Sequence, residues 1–339
     1  MTSTIPIIGP REAKLLFRYF VAVDRCLAGR FSLGYEPDEE HLTSLLTELL
    51  DHRGSLLHSL DYSLQQLNDA LKSIDSLLQV ELSISTNKYN HYQESKATKA
   101  DLGLVLDYRD HIQPELSFCK AALFQAKRLY SDRDGVYRLS SVYDAYNETQ
   151  HEALEEIQND KSEMHHQDRC FYLLYNPSMR GFEALDQERI KHHLQRGDAG
   201  SIFDYTHGLH LYNELLGESS VQSFADIASL VCRIRDFTCK EDKNDSSKPS
   251  FENVIKDRNI RQSSFPRFLV FDFMLGHAGS TDSDFLQLVL TGGSKQAQEN
   301  SNIRFLAPRY TLQIRVRAGR DPEHPVNPAG QQGGQPERR

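Results

Sequence analysis

Two short segments of this chain hold residue types that could act together on a phosphate ester. Asp101 opens an apolar run, Asp101–Tyr108, and Gln125-Ala126-Lys127 lies inside another, Ala121–Leu129. Successive side chains of a strand point to opposite faces, so Gln125 and Lys127 share one face. If the two runs are neighbouring strands, a carboxylate, an amide oxygen and an ammonium group come together. Hard oxygen ligands of this kind suit Mg²⁺, which keeps several waters and takes its remaining ligands from phosphate. The ion would polarise the phosphoryl group and acidify a bound water, and the lysine would orient that water or offset developing charge.

The elements that must position these residues can be read from periodicity. Leu15, Leu16, Phe20, Val21 and Val23 recur at helical spacing within Arg11–Leu27. Gly34 and Pro37 then mark a turn. A second helix follows Pro37, carrying Leu42, Leu45, Leu46, Leu49 and Leu50, and a third covers Leu56–Leu78. Val80–Thr86 alternates like a strand, as do Leu102–Leu106 and, after Pro114, Ala121–Leu129. Helical signals return over Ser141–Gln158, and Cys170–Tyr175 reads as a fourth strand closed by Asn176-Pro177. The order helix, three strands, helix, strand is that of an α/β unit with a hairpin-led mixed sheet.

The second helix offers a further acid. With Leu42 at 0° and about 100° per residue, its leucine stripe centres near about +10°. Glu39 then falls at roughly +60°, toward the core, and Glu40 at roughly 160°, toward solvent. Glu39 is therefore the better candidate to join Asp101.

The segments KADLGLVLDY (Lys99–Tyr108) and KAALFQAKRLY (Lys120–Tyr130) resemble the PD-(D/E)xK nuclease superfamily, in the variant where Gln replaces the second acid. The approach YQESKATKAD (Tyr92–Asp101) and the later CFYLLYNP (Cys170–Pro177) fit the same group, so the likeness covers roughly Glu36–Pro177. It implies a restriction-endonuclease-like α/β fold, a mixed sheet flanked by helices. It also implies that Asp101 ligates Mg²⁺ or Mn²⁺, that Gln125 completes or orients that shell, that Lys127 assists the attacking water, and that a helical Glu such as Glu39 joins them. Ala100 stands where the family has proline, and neutral Gln125 leaves the site one charge short. The Gln variant resembles effector nucleases of bacterial anti-phage systems of the Lamassu and CBASS kinds. That likeness implies DNA as substrate, a co-encoded ATPase or sensor subunit as partner, and possible self-assembly. The rival classes are a catalytically silent subunit that keeps the nuclease fold for assembly, and a nuclease acting on RNA.

Composition bounds these readings. A chain of 339 residues, 39% hydrophobic and 26% charged, can bury a substantial core. Its net charge of −9 argues against a protein that coats nucleic acid generally. The acidic excess lies almost wholly in residues 1–180, so a phosphate-tracking surface would draw on the second half. Five cysteines without metal-finger spacing, no secretory pattern and no run of 18 apolar residues lead us to expect a reduced, cytoplasmic, soluble protein. No GxxxxGK[ST] motif occurs, so the chain has no NTPase loop of its own.

The expected organisation is a nuclease core with N-terminal helices over residues 1–180, an α+β accessory region over 181–320, and a disordered Pro-, Gly- and Gln-rich tail over 321–339. Within the accessory region, Phe203–Leu216 and Ser223–Phe237 read as helices, Lys240–Ser250 as a polar loop, and Arg267–Leu275 and Tyr310–Val316 as strands. Arg304, Arg309, Arg315, Arg317 and Arg320 fall within 17 residues that contain no acid. They are either a nucleic-acid-binding, phosphate-contacting edge or the charged protection of a solvated strand edge. Glu94 is either a second acid near the metal or a solvated loop charge. The pairs His165-His166 and His192-His193, and the i, i+3 pair His207 and His210, lack the partners of a zinc site. Cys119 reads as a packed thiol rather than a nucleophile.

Overall fold

The computed structural model describes residues 8–32, 37–54, 58–74, 80–88, 100–143, 148–159, 168–197, 229–236, 249–256, 262–291 and 308–319. In chain order the helices are α1 (Pro10–Gly29), α2 (Glu39–Leu50), α3 (Leu64–Ile74), α4 (Glu148–Gln158), α5 (Ala184–Gly197), α6 (Phe251–Lys256), α7 (Phe265–Arg267) and α8 (Ser283–Thr291). The strands are β1 (Glu81–Lys88), β2 (Leu102–Asp110), β3 (Phe118–Arg128), β4 (Cys170–Tyr175), β5 (Ser229–Arg233), β6 (Gln262–Ser264) and β7 (Tyr310–Ala318). All seven strands join one mixed sheet in the order β1-β7-β2-β3-β4-β5-β6, with helices packed against it, so the fold is α/β.

The strands β2 and β3 are antiparallel neighbours, with Leu102 opposite Phe124, which puts Asp101 level with Gln125. Parallel pairing of β3 with β4 sets Gln125 beside Tyr172 and Lys127 beside Leu174. The first strand does not pair with β2. Instead β7 lies between them, antiparallel to β1 and parallel to β2. Because β5, β6 and β7 all come from beyond residue 180, the sheet draws on both halves of the chain.

Central strands buried on both sides read as near-continuous apolar runs, and β3 and β4 are of this type, buried from Lys120 to Arg128 and from Cys170 to Tyr175. α2 starts where Asp38 accepts the backbone N–H of His41 (2.6 Å), a side-chain cap. Its stripe of Leu42, Leu45, Leu46, Leu49 and Leu50 is buried, each such leucine contributing about 1.5–3 kcal/mol. Asp51 ends the helix by accepting the N–H groups of Arg53 and Thr86 (2.8 and 2.7 Å), which ties α2 to β1.

Three expectations are corrected. Arg267–Leu275 is helical: Ser264 accepts the N–H of Arg267 (3.4 Å), Pro266 occupies the first turn, and Phe268–Met274 continues as a π-helix. An apolar run alone does not separate a buried strand from a buried helix. Here Phe268 packs its ring on Phe124 and Phe171 of the sheet, at 5.5 and 4.8 Å between centroids. The described part of Ser223–Phe237 is β5 and a 3₁₀ turn, because Leu230, Val231 and Cys232 are buried as a sheet strand between β4 and β6. Finally, β7 is an interior strand, paired on both sides, so its arginines do not stand on a sheet edge.

Of Ser141–Gln158, the helix occupies Glu148–Gln158, while Val142 and Tyr143 form isolated bridges to Ser250 and Leu129. Phe203–Leu216, most of Lys240–Ser250 and the tail 321–339 lie outside the described residues. Among the described residues no helix is long and apolar enough to cross a membrane. Cys26, Cys119, Cys170 and Cys232 carry free thiols.

Candidate active site

The ends of β2, β3 and β7 meet the first turn of α2, and the expected chemistry lies at that junction. The backbone N–H of Asp101 donates to the Phe124 carbonyl (2.9 Å), which fixes the start of β2 against β3. One Asp101 carboxylate oxygen, Oδ2, accepts the Gln125 side-chain N–H and the Ala126 backbone N–H, the latter at 2.8 Å. The other end of the Gln125 amide, Oε1, is buried and has no hydrogen-bond partner among the described residues.

Two residues along the same strand, Lys127 places its ammonium nitrogen 3.6 Å from Glu39 Oε2. The second Glu39 oxygen accepts the backbone N–H of Arg128 (3.2 Å). Arg128 also donates from Nη1 to the Pro37 carbonyl (2.6 Å), and its guanidinium lies 3.7 Å over the Tyr130 ring. The strand therefore grips the residues on which α2 begins. Burial pushes the Glu39 carboxyl above its ordinary range, opposed by the Lys127 charge and the Arg128 N–H.

Asp101 and Glu39 border a cavity of about 370 Å³. Asp38, Glu39, Glu40 and Thr43 line it from α2 and its cap, Asp101 and Tyr130 from the ends of β2 and β3, and Arg309 and Tyr310 from β7. Gln125 and Lys127 are not part of the lining, and reach Asp101 and Glu39 from behind it.

The donor set fits a hard divalent ion. Asp101 and Glu39 supply carboxylates at the cavity, while Gln125 stands behind the lining and donates its amide N–H to Asp101. Among the described residues no group of three or more His, Cys, Asp and Glu side chains is placed to hold a metal. Two carboxylates would leave the other positions to water and substrate, the usual habit of Mg²⁺.

Arg309 does not sit where the edge reading put it. Its N–H donates to the Ala100 carbonyl (3.1 Å) and that of Tyr310 to the Asp101 carbonyl (3.0 Å), which pins the start of β7 to the catalytic candidate. The Arg309 side chain enters the cavity and pairs with Glu40. Glu40 is half-exposed, as its angle on the helix suggested, but the arginine holds it at the site. Arg315 and Arg317 share a face as expected and are exposed, Arg315 lying 3.1 Å from the Gln313 amide oxygen and 4.0 Å from Asp107. Neither lines the cavity.

Arg304, Arg320, Glu94, His165, His166, His207 and His210 lie outside the described residues, and His192 and His193 fall on α5. The Cys119 thiol donates to Asp107 (3.3 Å) and is pushed up to about 11, mainly by burial, so it stays protonated at neutral pH. The contributions of Arg128, Tyr130 and Glu40 carried no local signal, since each acts through a partner remote in sequence. Comparison with protein-family models, with curated proteins and with solved structures found no match to the chain.

Proposed function

We propose that this protein is a Mg²⁺-dependent DNA endonuclease of the PD-(D/E)xK type, with Gln125 in the position of the second acid. The observation that carries this reading is that Asp101 and Glu39 line one cavity while Gln125 and Lys127 hold them from behind it. The succession of β1, β2, β3 and β4, with β2 antiparallel to β3 and β4 parallel to it, supports the same reading. Asp101 and Glu39 would hold Mg²⁺ or Mn²⁺, with Gln125 orienting Asp101. The ion supplies Lewis acidity at the phosphoryl group and a more acidic bound water. Lys127 adds positive charge against that developing on the phosphate oxygens. Water attacks phosphorus, the bond to one ester oxygen breaks, and the strand is left with one phosphate end and one hydroxyl end.

With Gln125 neutral, the site holds its metal by two carboxylates, so full activity would depend on substrate or on a partner. That fits an effector subunit of a cytoplasmic anti-phage complex, released or assembled by a co-encoded ATPase or sensor.

The test is cleavage of supercoiled plasmid by the full chain, alone and with its co-encoded partner, in Mg²⁺ or Mn²⁺, with an RNA substrate in parallel. Loss of cleavage in both Asp101→Ala and Lys127→Ala supports the reading. Cleavage that survives both changes rejects the site, cleavage of RNA alone reassigns the substrate, and no cleavage under any condition favours an assembly module.

A further inference from the structure

Among the described residues lining the cavity, Asp38, Glu39, Glu40 and Asp101 are carboxylates and Arg309 is the only cation. Lys127 offsets Glu39 from behind the lining, so without a bound ion a phosphodiester approaching this mouth meets a net negative charge. Arg309 is built to meet it. Two backbone hydrogen bonds fix its strand to Ala100 and Asp101. Its side chain is 11% exposed, and its guanidinium carbon lies 5.6 Å from the Tyr310 ring centre. A guanidinium presents a planar fork that suits phosphate as well as carboxylate.

One arm of the fork, Nη2, is paired with Glu40, whose own side chain is 49% exposed. An ion pair with one partner so open to water is weak and exchanges readily with a competing anion. Glu40 also stands next to Glu39 on the first turn of α2, so its release would leave the helix and the metal-side carboxylate in place.

Resting on the nuclease reading, we infer that Arg309 binds a backbone phosphate of the substrate and that Glu40 is a built-in competitor which that phosphate displaces. The site is thus closed by its own carboxylate until a polyanion arrives. Arg309 acts as a substrate-binding residue supplied by the strand inserted between β1 and β2, and Glu40 tunes its affinity.

The experiment is equilibrium binding of a fluorescein-labelled 30-base-pair DNA duplex to the full chain in EDTA, where no metal-dependent cleavage occurs, over a series of salt concentrations. Thermal melts would check folding of Glu40→Gln, Arg309→Gln and the double variant. Glu40→Gln is expected to tighten binding about threefold to tenfold, and Arg309→Gln to weaken it about tenfold. Losing one phosphate contact should also reduce the slope of log K against log salt by about 0.9. In the Arg309→Gln background, Glu40→Gln should change little. Arg309→Lys, which keeps the charge and loses the fork, should fall between wild type and Arg309→Gln.

The inference is overturned if Glu40→Gln leaves affinity unchanged. It also fails if Glu40→Gln tightens binding equally without Arg309, since Glu40 would then repel DNA directly. Either result beside plasmid cleavage that needs Asp101 would leave the nuclease reading standing. A wild-type chain that neither binds the duplex nor cuts plasmid would remove both.

Discussion

Lys127 and Glu39 meet across the junction of β3 and α2, with 3.6 Å between ammonium nitrogen and carboxylate oxygen and the lysine nearly buried. Burial drives the Glu39 carboxyl upward, and the Lys127 charge is the first force holding it down. Replacing Lys127 by Met should therefore raise the Glu39 titration further. Carboxyl ¹³C chemical shifts against pH would show it. An unchanged midpoint would mean that the pair does not communicate.

The Asp101 carboxylate has a structural duty as well as a chemical one, because Oδ2 accepts both the Ala126 N–H and the Gln125 amide. Asp101→Ala strands both donors, at a cost of roughly 1–3 kcal/mol. Asp101→Asn keeps an acceptor and should unfold within about 1 kcal/mol of the wild type. Denaturant titration of the two variants separates these outcomes, and equal losses would show that the carboxyl does not bridge the strands.

Lys120 is fully enclosed, donating to the Gly276 carbonyl (2.8 Å) with the Phe118 and Phe273 rings at 5.6 and 5.4 Å. Burial pulls its ammonium down to about 7. In the unfolded chain the same group titrates near ~10.4. Between these values the unfolded state binds more protons, so stability rises with pH across the window and its deficit is full below about pH 7. Lys120→Met should remove that dependence and raise stability at pH 6.5 by on the order of 2 kcal/mol. Melting curves from pH 6.5 to 10 would check this. A Met variant less stable than wild type at pH 6.5 would show that the hydrogen bond to Gly276 outweighs the desolvation.

Gly103 sets the approach of β7 to the site. A Cβ there would lie 2.7 Å from a Val289 methyl and 2.8 Å from Pro308 Cγ, and Pro308 leads directly into Arg309. Overpacking at such a point costs about 1–3 kcal/mol. Gly103→Ala should lower the melting temperature accordingly and weaken any property that depends on Arg309 more than one confined to α3. Unchanged stability would mean that α8 and Pro308 yield freely.

Much of this site is written locally. The Gln125-Ala126-Lys127 alternation and the apolar runs around Asp101 needed only strand periodicity, and the leucine stripe oriented Glu39 because α2 is regular. What stayed hidden depends on distant pairing. Glu40 and Arg309 are 269 positions apart, and no local pattern announces that β7 would separate β1 from β2. The run Phe268–Met274 resembles a strand in sequence for a different reason. Six of its seven side chains are apolar, Asp272 being the exception, and all seven are buried, so it has no period to read.

The central claim is a metal-dependent phosphodiesterase centred on Asp101, and Asp101→Asn tests it with the fold intact. The measurement is the initial rate of plasmid nicking in Mg²⁺, with partner where required, for wild type and for an Asp101→Asn preparation of matched thermal stability. The account predicts metal-dependent nicking by the wild type and a loss of about 100-fold or more in the variant, on the scale of removing one preorganised catalytic group. An Asp101→Asn protein that nicks DNA at the wild-type rate would contradict it.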